Sequence, residues 1–147
     1  MKLYTIGFTG KNAATFFGLL QKAKVKSLLD IRLNNRSQLA GFTKAGDLEY
    51  FLAEICAIGY RHSPDLAPDQ ELLDLIRGKK ITWDEYQLRF RSLMEERAAD
   101  TLLKQLMREL PGPLCLLCSE ANADQCHRSL VAKIMQSLKP KLEVIHL

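Results

Sequence analysis

The sequence predicts an α/β fold of the Rossmann-like, three-layer kind: a mostly parallel sheet between helices, carrying a helical insertion. Short apolar runs alternate with segments of helical periodicity along the chain, a succession that calls for parallel strands joined by right-handed crossovers. The run over residues 25–31 reads as a strand buried on both faces, as central strands of such sheets are. No repeat, low-complexity tract or linker interrupts the 147 residues, so one domain is expected over residues 1–147.

Residues 2–6 form the first strand, ended by the loop Gly7-Phe8-Thr9-Gly10. Asn12 is placed to cap a helix in which Phe16, Leu19, Leu20 and Ala23 recur at helical spacing. Residues 25–31 follow as the central strand, carrying Asp30 at its end, and then a polar loop over residues 32–46 with Arg32, Arg36 and Lys44. Asp47 opens a second helix with Leu48, Phe51, Leu52 and Ile55 on one face and Gly59 just past its end. Residues 60–62 form a short third strand, and residues 68–77 a helix stopped by Gly78. Thr82-Trp83-Asp84-Glu85 reads as a capping box for a helix reaching residue 97. Leu102, Leu103, Leu106 and Leu110 extend the helical pattern until Pro111-Gly112-Pro113 breaks it. Residues 83–110 are thus expected to form the insertion, lying over one edge of the sheet. The fourth strand covers residues 114–118, a polar loop 119–125, and a last helix starts near Cys126 with Leu130, Val131, Ile134 and Leu138 on its apolar face. Residues 143–147 close the chain as a strand.

With 47% hydrophobic and 26% charged residues, the chain can bury a core without staples. No apolar run reaches the roughly 18 residues needed to span a bilayer, and residues 1–6 lack a signal-peptide layout. The expected location is therefore the cytoplasm, with no membrane partner. Cys56, Cys115, Cys118 and Cys126 are too few and too unevenly spaced for a disulfide framework. Cys115 and Cys118 make a C-x-x-C by count, but a strand points residues three apart to opposite faces, which argues against a thioredoxin-like pair. The net charge of +4 is compatible with phosphate or nucleic-acid ligands without requiring them.

In open α/β sheets, ligands bind beyond the carboxyl ends of the strands. Here those ends carry Gly7-Phe8-Thr9, Asp30-Ile31-Arg32, Arg61-His62 and Cys118-Ser119-Glu120, and the last helix begins Cys126-His127-Arg128. The unusual chemistry of the chain is gathered on one rim. Arg128 in the first turn of a helix opposes the helix dipole, so an anionic partner is expected: Glu120, Asp30, or the phosphate or carboxylate of a ligand. That leaves two readings, an anion pocket and a structural arginine–carboxylate pair. Asp30 and Arg32 divide in the same way: Asp30 acts as a general base or holds a sugar hydroxyl, or else orients a neighbouring basic group.

Cys126, beside His127 and Arg128 at a helix start, has the setting of a reactive thiolate. No glycine-containing anion loop follows it, so covalent catalysis is not favoured, and small buried thiols are the competing reading. The C-x7-C-H spacing matches no standard zinc site, and no metal is expected. His62 reaches the rim from the third strand or is hydrogen-bonded at a strand end, the latter being the reading for His146. The loop over residues 32–44, with Asn34, Asn35, Arg36, Ser37, Gln38 and Phe42, either tracks a nucleic-acid backbone and stacks a base or is a solvated loop anchored by Phe42.

Tyr4-Thr5-Ile6-Gly7-Phe8-Thr9, Asp30-Ile31-Arg32, Phe42 with the helix after it, Gly59-Tyr60-Arg61-His62 and the pair Cys118-Ser119-Glu120 and Cys126-His127-Arg128 stand in an order that resembles the DUF488 family from end to end. The family's opening commonly reads Gly-His-Ser where this chain has Gly7-Phe8-Thr9, so a histidine role there is absent. Prolines common in the family are replaced by Asn34 and, between the cysteine motifs, by Ala123 or a neighbour. The resemblance implies a Rossmann-like domain whose motifs line one pocket, without a settled reaction. Nucleotide or nucleic-acid roles suspected for members suit the basic rim.

Three functions of different class follow. The first is a domain that binds or acts on a phosphate-bearing ligand, a nucleotide or nucleic acid, with no cofactor. In it Arg32, Arg36 and Arg128 hold the anion; Gly7, Thr9, His62 and Cys118 complete the ligand set. Asp30, Glu120, Cys126 and His127 supply the catalytic groups of a hydrolase or transferase. The second is a non-catalytic nucleic-acid module using the loop over residues 32–44. The third is a thiol or metal sensor through Cys118 and Cys126.

Overall fold

A strand that is apolar at successive positions must be covered on both faces, and the central strands of this protein are. The computed structural model describes residues 1–37 and 40–147; Gln38, placed by the sequence in the polar loop, lies outside the described residues. Among the described residues five strands pair in parallel: β1 (Lys2–Gly7), β2 (Ser27–Asp30), β3 (Gly59–His62), β4 (Leu114–Cys118) and β5 (Glu143–His146), in the order β3-β2-β4-β1-β5. Every residue of β2 and β4 is buried.

Six α-helices lie among the described residues: α1 (Ala13–Lys22), α2 (Ala45–Phe51), α3 (Gln70–Arg77), α4 (Trp83–Glu96), α5 (Ala99–Glu109) and α6 (His127–Leu138). Phe16, Phe17, Leu20 and Leu48 of α1 and α2 share a core with Tyr4, Ile6, Leu28, Cys115 and Leu117 of the sheet. Leu72, Phe90, Met94, Leu103 and Val131 of α3 to α6 share the other with Leu3, Leu29, Leu114 and Leu116. The period-2 alternation of β4 is thus split between two cores, which makes three layers. The stretch 83–110, expected over one edge, instead contributes Tyr86, Phe90, Met94, Leu103 and Leu106 to the core of that face. Its apolar stripe is wide enough to need the sheet's face, not its rim.

From β1 the chain steps to β2 and β3 at one edge, then returns to β4 and on to β5 at the other. Right-handed crossovers put the helices of the two directions on opposite faces. β1 and β4 are therefore neighbours whose chains leave in opposite directions, and Gly7 and Cys118 lie level in their register. A crevice opens at such a point.

The caps refine the sequence reading. Asn12 Oδ1 accepts from the Thr15 amide at 2.8 Å, as expected. Thr82 Oγ1 accepts from the Glu85 amide at 3.2 Å, but the reciprocal half of the box is missing, because the Glu85 carboxylate takes Arg89 Nη2 at 2.9 Å. The glycine stops are also displaced. α2 runs into a π-helical turn, Leu52–Cys56, and the left-handed residue closing it is Ala57 (φ 53°), so Gly59 is free to start β3. Past α3 it is Lys79 (φ 54°), not Gly78, that turns left-handed. Among the described residues no helix is long and apolar enough to cross a membrane.

Candidate ligand-binding site

The loops leaving β1 and β4 are stitched together before they diverge. The Thr9 amide donates to the Ser119 carbonyl at 3.1 Å and the Thr9 hydroxyl to the same oxygen at 2.6 Å. Gly7 permits this approach, since a Cβ there would overlap the Glu120 carbonyl.

Behind the stitch lies Arg128, 1% exposed. Its Nε donates to Thr5 Oγ1 at 3.2 Å, Nη1 to Cys118 Sγ at 3.1 Å and to the Glu120 carbonyl, and Nη2 to the Ala121 carbonyl at 3.1 Å. The expected carboxylate partner is not there: Glu120 contributes its backbone oxygen, and Asp30 pairs elsewhere. Thr5, already accepting from Arg128, has its proton free for His146 Nδ1 at 2.6 Å. The side chain that Arg128 meets in place of a carboxylate is the thiol of Cys118. Burial raises the Cys118 thiol, but a hydrogen bond from Cys126 and the Arg128 charge outweigh it and hold Cys118 below its ordinary value. Cys126 moves the opposite way, raised by that same bond and by burial.

The second buried arginine is matched conventionally. Arg32 Nη2 meets Asp30 Oδ2 at 2.7 Å and Arg32 Nε meets Oδ1 at 2.8 Å, a bidentate pair. Tyr60 donates its hydroxyl proton to Asp30 Oδ2 at 2.6 Å, and Asn35 Nδ2 donates to the Tyr60 oxygen at 3.0 Å. Burial, then the bond to Asp30, push the Tyr60 phenol far up. Arg32 Nη2 also reaches the Thr43 carbonyl at 2.7 Å, and its guanidinium lies 5.3 Å from the centre of the Phe8 ring. Half-buried His62 engages the Arg32 carbonyl through Nε2 at 2.8 Å.

Between these centres opens a cleft of about 800 Å³ at the switch point. It is lined by Phe8 to Lys11 after β1, by Arg32, Asn34 and Phe42 of the following loop, by Arg77 at the end of α3, and by Ser119 after β4. Of the sequence-proposed residues, Thr9 and Arg32 line it. Gly7 shapes its floor, Arg128, Cys118 and Asp30 lie buried behind it, and Arg36 stands exposed on the loop outside the lining. Lys11, Arg77 and Ser119 were missed. Lys11 sits directly after the glycine loop of β1, a readable signal, whereas Arg77 arrives only through the tertiary placement of α3. Burial, then the Arg128 charge, push the Lys11 amine down. Phe42 lines the cleft while its ring packs on Phe16 at 5.4 Å and Phe17 at 6.0 Å, so it is anchored rather than free.

A family model described as domain of unknown function DUF488 matches residues 12–135. The chain belongs to the DUF488 family. No curated protein and no solved structure matches it.

In this DUF488 chain the remaining proposed residues, Glu120, Cys126 and His127, line a second cavity of about 300 Å³ beside the first. His127 donates Nε2–H to the Ile31 carbonyl at 2.7 Å, and its Nδ1 lies 4.0 Å from Cys126 Sγ. Burial pushes the imidazole down to about 4, leaving the ring neutral at physiological pH. Among the described residues no three His, Cys, Asp or Glu side chains converge as metal ligands.

Proposed function

We propose that this DUF488 chain binds a phosphate-bearing ligand in the cleft at the switch point. One observation carries the reading: Lys11, Arg32 and Arg77 line the cleft, hydroxyls of Thr9 and Ser119 stand beside them, and no carboxylate is among the described lining residues. Arg32 is balanced by Asp30. Lys11 and Arg77 have no ion-pair partner among the described residues, and the buried Arg128 adds a positive charge without a carboxylate. Low-dielectric walls focus such a field on an anion.

In this reading Asp30 fixes Arg32, Gly7 brings the two loops together, and Arg128 with Cys118 sets the potential from behind. Binding is favoured over hydrolysis or group transfer, because no carboxylate, imidazole or thiol is among the described residues that line the cleft itself. A nucleic-acid backbone along the loop carrying Arg36 is less well supported, since Phe42 is held by Phe16 and Phe17 and is not free to stack a base.

The test is calorimetric titration with inorganic phosphate and ribose 5-phosphate. Lys11→Ala and Arg77→Ala should each weaken binding roughly tenfold, the loss of one charge-assisted hydrogen bond. No binding by the wild type, or affinities unchanged in both variants, sinks the reading. Affinity for a single-stranded oligonucleotide that falls steeply with salt while ribose 5-phosphate fails to bind would establish the nucleic-acid module instead.

A further inference from the structure

Arg77 lines both cavities, so the cationic cleft and the smaller one adjoin across the backbone of Ser119 and Glu120. The smaller wall has different chemistry. Trp83 and Tyr86 stack there, ring centroids 5.0 Å apart and 15° between planes, with apolar Leu73 and Ile76 alongside. Trp83 is only half-buried, which leaves the stack an open end toward the cavity. Stacked indole and phenol rings offer the flat, polarisable surface that planar rings prefer. About 300 Å³ is at the lower bound of ligand pockets, enough for one ring system.

Glu120 and His127 bring acceptors to this wall, beside the donors of Arg77, Gln125, Trp83 and Tyr86. Glu120 spends its backbone carbonyl on Arg128, while its exposed carboxylate has no partner among the described residues. His127 donates through Nε2 to a carbonyl, which can only accept, so in the neutral ring Nδ1 is an acceptor, facing the Cys126 thiol at 4.0 Å. A guest that stacks on this wall is planar, and one that reaches the unpartnered Glu120 carboxylate donates to it.

We propose that the smaller cavity is a ring subsite for an amino-bearing heteroaromatic ring attached to the phosphate held next door. The ring stacks on Trp83, its exocyclic amine donates to the Glu120 carboxylate, and Arg77 and Lys11 take the phosphate. The ligand class is a nucleotide whose base carries an amine. This inference rests on the phosphate-binding reading above and adds the ring to it.

Titration calorimetry of ribose 5-phosphate, adenosine 5′-monophosphate and inosine 5′-monophosphate tests it on the wild type, Trp83→Leu and Glu120→Gln. The adenine nucleotide should bind roughly tenfold or more tighter than the sugar phosphate, the gain of one stacked base. It should also exceed the inosine nucleotide, whose 6-oxo group turns a lone pair toward the same carboxylate. Trp83→Leu should remove the ring's gain while leaving ribose 5-phosphate affinity unchanged. Glu120→Gln, on an exposed side chain that leaves the fold alone, should erase the preference for adenine over hypoxanthine. Ribose 5-phosphate binding with no gain from adenine, or equal binding of the two nucleotides, overturns the ring subsite and leaves the phosphate cleft standing. Failure of all three probes to bind removes both.

Discussion

Arg32 and Arg128 are both buried at the carboxyl edge of the sheet, one 4% and the other 1% exposed, yet they are satisfied in different ways. Arg32 faces a bidentate carboxylate, so the centre is neutral and its charges cancel over a few ångströms. Arg128 faces two carbonyls, a hydroxyl and a sulfur, so its hydrogen bonds are met while its charge is balanced only as far as Cys118 ionises. The difference shows in what surrounds each. Beside Arg32 a tyrosine is driven to keep its proton; near Arg128 a thiol is driven to lose one and a lysine amine is pushed down. Satisfying donors and neutralising charge are separate requirements, and the molecule meets the second fully at only one of its two buried arginines.

The largest expected effect strikes the Arg128 centre through its scaffold. Gly7→Ala sets a Cβ on the Glu120 carbonyl that Arg128 holds, with Arg128 Nη1 also within 2.7 Å. It should destabilise the protein by about 4 kcal/mol or more, read from urea unfolding midpoints; a loss under about 1 kcal/mol would mean that the two loops are not locked together.

Next, the two arginine centres should break unequally. Asp30→Asn leaves Arg32 buried without its counter-charge and should cost about 3–5 kcal/mol. Arg128→Met removes a charge along with its bonds, and no buried carboxylate is left without a partner, so about 2 kcal/mol is expected. Equal losses in the two variants would erase the distinction drawn between them.

Acid should then act through His127. Its folded value of about 4 lies below the ordinary 6.5, so the neutral ring is what the fold prefers. That contribution is complete above pH 6.5 and is lost as pH falls from there toward 4. It amounts to up to roughly 3 kcal/mol. Unfolding free energies at pH 7 and 4.5 should diverge less in His127→Gln than in the wild type; identical divergence would remove His127 as the cause.

The layers of this fold were readable because strand alternation and helical spacing are local. Leu114 to Leu117 divide between two cores by parity alone, and the switch point follows from helices alternating with strands. The rim was likewise readable, since strand ends carry Gly7, Asp30, His62 and Cys118 whatever the packing. Where the side chains on that rim point was not. An arginine side chain is long enough to turn inward or outward, and Arg128 turns inward because Gly7 lets the Glu120 backbone come close enough to accept from it. The rim therefore divides into a cationic cleft and a smaller cavity walled by stacked rings, a division that depends on α3 delivering Arg77 from far along the chain. Capping glycines misled for a related reason: Ala57 and Lys79 accept left-handed backbone where the hydrogen bonds closing the turn, such as Ile58 N to Leu52 O at 3.0 Å, offset its strain.

Trp83 is the single tryptophan of the chain. Its indole stands on the cavity wall against Tyr86, which makes the protein its own optical probe. Excited selectively, it emits from one position only, and quenching by a stacked guest would report occupancy of that cavity directly, without a label, in the same cuvette that reports unfolding.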